Sequence, residues 1–253
     1  MEGLVFLDFD GVICDSLLEC LVSSWKAYHR LHRGAMPASV PLSLRSQFQA
    51  LRPFVRSGED FVLLQQLIDE EAPVRTQADF DARLQRCGPR TMERYRELFY
   101  AARSELLREQ RGYWLALNRL YPHILPRLPA WLASPRLYIL STKRSPYIRE
   151  ILQHHGMSVD PARTLTCRAR QKRTTILSVL DSRGAERGLF VDDQLDHLLP
   201  HPGEDGRIAG YLAAWGYVKA SWLQESGSVP VLYPQQLSPL LQLWLRGSEQ
   251  RGR

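Results

Sequence analysis

The stretch VFLDFDGVICDS, Val5 to Ser16, decides the fold. Gly3 to Leu7 is apolar and stops abruptly at Asp8. A short apolar run cut off by polar residues reads as a buried strand. Two carboxylates, Asp8 and Asp10, stand at its end, and Gly11 follows where the chain has to turn. Ser16 can then cap a helix over Leu17 to His32, with Gly34 beyond its end.

Outward from this stretch the chain changes character twice. From Pro37 to about Tyr121 almost nothing reads as strand. Phe61 to Ile68, Ala78 to Arg86 and Thr91 to Arg111 are rich in strong helix formers, and Gly88-Pro89 breaks the last two apart. This helical block is roughly a hundred residues long, enough for a domain. After Pro122, strands and helices alternate. The strands are Arg136 to Leu140, Arg163 to Thr166, Gly188 to Val191, Ile208 to Ala214 and Val229 to Leu232. Between and after them, helices cover Ser145 to His155, Thr174 to Ser182 and Gln235 to Leu245. Such alternation argues for an α/β domain with a parallel sheet covered on both faces. The polar tail from Gly247 to Arg253 reads as frayed.

Composition narrows the function classes. The 253 residues are 44% hydrophobic and 24% charged, as in an ordinary globular protein. The formal charge of +6 favours anionic ligands. Its basic residues are spread out, which suits a solvated basic surface better than a nucleic-acid patch. Cys14, Cys20, Cys87 and Cys167 form no CxxC pair or zinc spacing and fit a reducing cytoplasm. Asp8, Asp10 and Asp15 interrupt the N-terminal apolar stretch, which argues against a signal peptide. No window approaches the ~20 apolar residues of a membrane helix.

Ligands of open α/β sheets bind beyond the carboxyl ends of the strands. The first strand presents Asp8 and Asp10 there, with Gly11 next to them. A second presents Ser141, Thr142 and Lys143. The segment after the third reaches Lys172. The fourth presents Asp192 and Asp193, with Asp196 close behind. Clustered carboxylates repel unless a cation joins them, and Mg²⁺ takes carboxylate and phosphate oxygens. A carboxylate can attack phosphorus, a lysine can neutralise the transferred group, and a second carboxylate can serve as acid and base.

VFLDFDGVICDS resembles the first motif of the haloacid dehalogenase superfamily of hydrolases. YILSTK (Tyr138 to Lys143) resembles its second, Lys172 its third, and LFVDDQLD (Leu189 to Asp196) its fourth. IAGYLAAWGY (Ile208 to Tyr217) is similar to the strand and loop that follow. The insertion resembles the helical cap of the phosphoglycolate phosphatase-like subgroup. The resemblance implies a Rossmann-like parallel-sheet core, residues 1–16 and 122–253, with an inserted α-helical cap, residues 17–121. Hinges are expected near Asp15-Ser16 and Tyr121-Pro122, because caps open and close. The implied activity is magnesium-dependent hydrolysis of a small phosphorylated metabolite, without nucleic acid or membrane. Asp8 would be the nucleophile and Asp10 the acid/base. Ser141 and Lys172 would grip the phosphoryl group, with Gly11 and Thr142 beside it. Asp8, the carbonyl of Asp10 and an acid of the fourth motif would hold magnesium. That acid is Asp193 if the motif is read from its acid pair, the preferred reading, and Asp192 if the spacing to Asp196 matters.

Other readings stand beside these. Ser141 can cap the next helix, and Lys143 competes with Lys172. Arg52 and Arg56, four apart, can face one side of a helical turn and bind the rest of the substrate, or join a salt-bridge cluster with Glu59 and Asp60. Trp114, Tyr113 and Phe99 read as cap core. The presence of Asp10 argues against dehalogenation. A phosphomutase, or a module that only binds a phosphorylated ligand or a protein, is the alternative.

Overall fold

β1 (Gly3–Leu7) is buried along its whole length. A strand with no polar side chain has no face to offer water, so it belongs inside a sheet covered on both sides. In the computed structural model, which describes residues 3–32 and 39–245, β1 holds that place. Pro37, the Gly34 stop and the tail from Gly247 lie outside the described residues.

The elements follow in chain order. After β1 come β2 (Cys14–Asp15), α1 (Leu17–His32), α2 (Leu42–Leu51), α3 (Asp60–Asp69), α4 (Gln77–Glu109), α5 (Arg111–Ala116) and β3 (Arg119–Leu120). Then come α6 (Leu128–Ala133), β4 (Leu137–Ser141), α7 (Ser145–His154), β5 (Thr164–Thr166), α8 (Lys172–Arg183) and β6 (Arg187–Asp192). α9 (Leu195–Leu198), β7 (Ile208–Ala213), α10 (Ala220–Glu225), β8 (Val231–Leu232) and α11 (Pro234–Leu245) complete the order.

Six strands form one sheet in the order β5-β4-β1-β6-β7-β8. Every pairing is parallel, and Val5 is in register with Leu137 on one side and Leu189 on the other. Later strands are added outward from β1 in both directions. The carboxyl end of β1 is therefore a topological switch point, where an α/β sheet opens a crevice. One face of the sheet buries alternate residues, Leu4 and Phe6, Tyr138 and Leu140, under Ile176 and Leu180 of α8 and Leu198 of α9. Phe6 stacks on Tyr138 with ring centroids 5.2 Å apart. Against Gly3 lies Trp244 of α11, so close that a Cβ there would meet its ring at 2.7 Å. Only glycine admits that approach.

The chain divides into two compact units, Met1–Asp15 with Leu120–Arg253, and Ser16–Arg119. In the first, Tyr121 on the returning chain donates its N–H to the Ile13 carbonyl at 3.0 Å. The second is helical. Its core stacks Phe48 on Phe61, Phe61 on Phe99 and Phe54 on Phe80. Glu19 lies within it, fully buried, and takes the Arg103 guanidinium in two bonds of 2.8 and 2.7 Å, with Ser23 and the Trp114 indole as further donors. No described helix is long and apolar enough to cross a membrane.

Four differences from the sequence reading have local causes. The break at Gly88-Pro89 is a kink inside α4, carried by Gly88 at φ 73° and ψ 163°. α8 begins at Lys172, two residues earlier than its apolar pattern, because its first turn is polar. Arg52 and Arg56 do not share a helical turn. Arg52 opens a 3-10 turn ending at Phe54, and Arg56 follows in irregular chain. Trp114 and Phe99 are fully buried, but Tyr113 is 49% exposed and is not part of the core.

Candidate active site

The turn after β1 is closed by its own backbone. Ile13 and Cys14 both donate to the Phe9 carbonyl, and Gly11 donates to Cys14. Asp8 donates its N–H to Val191 of β6 at 2.9 Å, which carries the β1 register one residue past the strand. Gly11 adopts φ 90°, open to glycine at little cost. A Cβ there would also fall 1.9 Å from an oxygen of Asp193. Gly216 approaches Asp193 from another side, with a built Cβ 2.3 Å from the Asp193 Cβ. Two glycines thus form a seat for one carboxylate, and the Tyr217 N–H donates to its Oδ2 at 2.7 Å.

Asp8 is buried, and its Oδ2 lies 3.1 Å from Lys172 Nζ. The same ammonium meets Asp192 Oδ2 at 2.6 Å. Burial pushes the Asp8 carboxyl above its usual range, and Asp192 and Asp10 push the same way against Lys172 and Ser141. Burial would also strip the Lys172 proton, but the Asp192 and Asp8 carboxylates outweigh it and hold the lysine above its ordinary range. Asp192 shows the converse. Burial raises it, while Lys172 and then His197 pull harder and hold it well below the usual carboxylate range.

Asp10 is partly exposed and pairs with the buried Lys143, Nζ to Oδ1 2.8 Å. Ser141, the last residue of β4, is buried, and its hydroxyl accepts the Lys143 N–H at 3.3 Å. Thr142 is half-buried between them. Burial pushes the nearby Cys167 thiol up to about 11, so it stays protonated near neutral pH and is no nucleophile.

The donor set fits a hard divalent cation. Asp8, Asp192 and Asp193 each place an oxygen within 4.8 Å of the others. Opposite oxygens around Mg²⁺ are about 4.2 Å apart, so small rotations close such a ring. Asp8 Oδ1 is buried without a hydrogen-bond partner among the described residues. Asp8, Asp10, Asp192 and Asp193 bring four formal negative charges, and Lys143 and Lys172 bring two positive ones. Two charges remain to be compensated.

No family model matches the chain, and no curated relative does. Solved structures do. A candidate phosphoglycolate phosphatase of Lactobacillus delbrueckii subsp. bulgaricus is 15% identical, covers 97% of this chain and 99% of its own, and superposes with a TM-score of 0.59. For a predicted phosphoglycolate phosphatase of Haemophilus somnus 129PT the values are 14%, 96%, 97% and 0.58. A haloacid dehalogenase-like family hydrolase of Streptococcus pneumoniae gives 14%, 95%, 99% and 0.55. The fold is that of the haloacid dehalogenase-like hydrolases.

On this haloacid dehalogenase-like fold the structure gathers Asp8, Asp192, Asp193 and Lys172 into direct contact or near contact, with Asp10, Lys143 and Ser141 linked beside them. Asp196 is exposed on α9, outside the acid cluster. Arg52 and Arg56 have partners within the helical unit. Arg52 is buried, donates to the Val55 carbonyl and lies over the Phe61 ring. Arg56 makes two bonds to Asp81, at 2.6 and 3.1 Å. Sequence reasoning missed His197, whose Nδ1 meets Asp192 at 3.1 Å, and the buried pair Arg173–Glu204. A histidine one helical turn past an acid pair was the available signal for the first. The second had none.

Proposed function

We propose that the chain is a magnesium-dependent phosphatase that hydrolyses a small phosphomonoester through an aspartyl phosphate on Asp8. One observation carries this reading: Asp8 is a buried carboxylate with one oxygen on an ammonium and the other without a hydrogen-bond partner among the described residues, clustered with the carboxylates of Asp192 and Asp193. A nucleophile needs such an arrangement, oriented yet not wholly committed.

Asp8 attacks phosphorus, and the bond from phosphorus to the ester oxygen breaks. Asp10 gives a proton to the leaving alcohol, then takes one from the water that attacks the phosphorylated Asp8. That second attack releases inorganic phosphate and restores Asp8. Lys172 neutralises charge on the transferred group, and the Ser141 hydroxyl and Thr142 lie beside it. Lys143 holds Asp10 in place between the two proton transfers.

When bound, magnesium supplies charge neutralisation at the phosphoryl oxygens. Asp8, the Asp10 carbonyl and Asp193 are the residues to hold it. Asp192 is less suited, because Lys172 and His197 take its Oδ2 and the Gln194 N–H takes its Oδ1 at 2.8 Å. The helical unit corresponds to the cap insertion, where choice of substrate would reside.

The test is phosphate release from an aryl phosphate and a panel of phosphorylated metabolites, with magnesium and with chelator. Turnover that needs magnesium and vanishes in Asp8→Asn is the expected result. Well-folded protein without turnover across the panel would overturn the reading. Transfer of phosphate to a sugar instead of water would assign a phosphomutase.

A further inference from the structure

Asp192 is held from two helices at once. Lys172, the first residue of α8, meets its Oδ2 at 2.6 Å, and His197 of α9 meets the same oxygen at 3.1 Å through Nδ1. A carboxylate only accepts, so Nδ1–H donates. All three side chains are at most 6% exposed. The helices are also tied directly. Arg173, next to Lys172, donates to the Leu198 carbonyl, next to His197, at 2.7 Å. Its guanidinium is in turn held by Glu204, through Nε at 3.0 and 2.8 Å and through Nη2. Lys172, Asp192, His197, Leu198 and Arg173 form a closed ring of contacts around the end of β6.

A lysine on a flexible four-carbon stem needs such a ring to stay aimed. The Gln194 N–H holds Asp192 Oδ1 at 2.8 Å, but the Oδ2 that Lys172 shares has His197 as its other partner. His197 fixes that oxygen. We propose that His197 is a positioning residue: acting through Asp192, it holds the Lys172 ammonium against Asp8, while Arg173 and Glu204 fix the helix that carries it. The proposal rests on the phosphatase reading for its catalytic consequence, but its structural content can be read without turnover.

The experiment compares His197→Leu and His197→Asn in the full chain. Asparagine places an amide nitrogen where Nδ1 stands, and leucine fills space without a donor. Losing a hydrogen bond to a charged group is worth about ten- to a hundredfold. H197L should therefore lower kcat by that factor with KM within about threefold, and H197N should recover most of it. Independently, acetic anhydride labelling read by mass spectrometry should rise about tenfold at Lys172 in H197L, with Lys143 unchanged and H197N near wild type. Mn²⁺ binding followed by electron paramagnetic resonance should stay within about threefold in both variants, showing the acid cluster intact. Wild-type labelling in H197L, equal loss in both variants, or loss of Mn²⁺ binding alongside the labelling change would each overturn the proposal. If the wild-type chain shows no turnover but the labelling pattern holds, the phosphatase reading fails and the brace stands.

Discussion

Asp60 opens α3 in the helical unit and is only 4% exposed. Its Oδ2 accepts the N–H groups of Arg56 and Ser57 at 2.9 and 3.2 Å. Burial nevertheless pushes its carboxyl up to about 7, with Glu59 adding to the rise and the two N–H groups opposing it. The unfolded chain releases this proton near pH 3.8. Below that value both states are protonated and the group is neutral to stability. As pH rises from about 4 to about 7 the unfolded state ionises while the folded state resists, so stability falls across that window and levels off above it. Each tenfold gain in proton affinity is worth about 1.4 kcal/mol, so a rise from 3.8 to about 7 comes to about 4 kcal/mol. Asp60→Asn keeps an oxygen for both N–H groups and removes the ionisation. Relative to wild type, Asp60→Asn should gain about 4 kcal/mol between pH 4 and pH 8, with nearly all of the gain in place by pH 7. Urea unfolding of both proteins at pH 4, 6 and 8, followed by circular dichroism, measures it. A difference that is flat with pH would show that the two N–H groups fully offset desolvation, and would refute the reasoning.

Two further outcomes follow from the charged clusters. Asp193→Asn should weaken Mg²⁺ binding, measured by calorimetry, far more than Asp192→Asn, whose charge is already matched by the Lys172 ammonium at 2.6 Å; equal losses would return Asp192 to the ligand set. Arg103→Leu, which leaves the fully buried Glu19 without its guanidinium, should cost about 3–5 kcal/mol in urea unfolding, and the double variant with Glu19→Leu should recover part of that.

The frame of the molecule was legible because its signals are local. β1 is bounded by a change from apolar to acidic residues, and α1 by a polar residue before it and an apolar stripe within it, so both lie where the sequence puts them. α2, α6 and α10 were not legible. α6 and α10 are six residues each, too short for a period to emerge, and α2 buries only Phe48, so no apolar stripe marks it. The buried role of Arg52 had no sequence signal either, since an arginine's destination depends on which aromatic face arrives beside it.

The acid pair shows where local reading ends. Neighbouring residues at a strand end differ in direction, but the sequence does not say which direction faces the site. Parallel register settles it. Leu7 pairs with Val191, so Asp8 and Asp192 are the next residues on adjacent strands and come to lie side by side. That is why one lysine serves both. Asp193 is past the end of β6, and its direction is set by Gly11 and Gly216, more than two hundred residues apart in sequence. Two adjacent aspartates therefore acquire different surroundings from contacts that no spacing rule encodes: one meets a lysine, a histidine and a backbone amide, and the other is seated between glycines near Asp8 and takes the Tyr217 N–H. The chemistry assigned to each follows from that difference in partners.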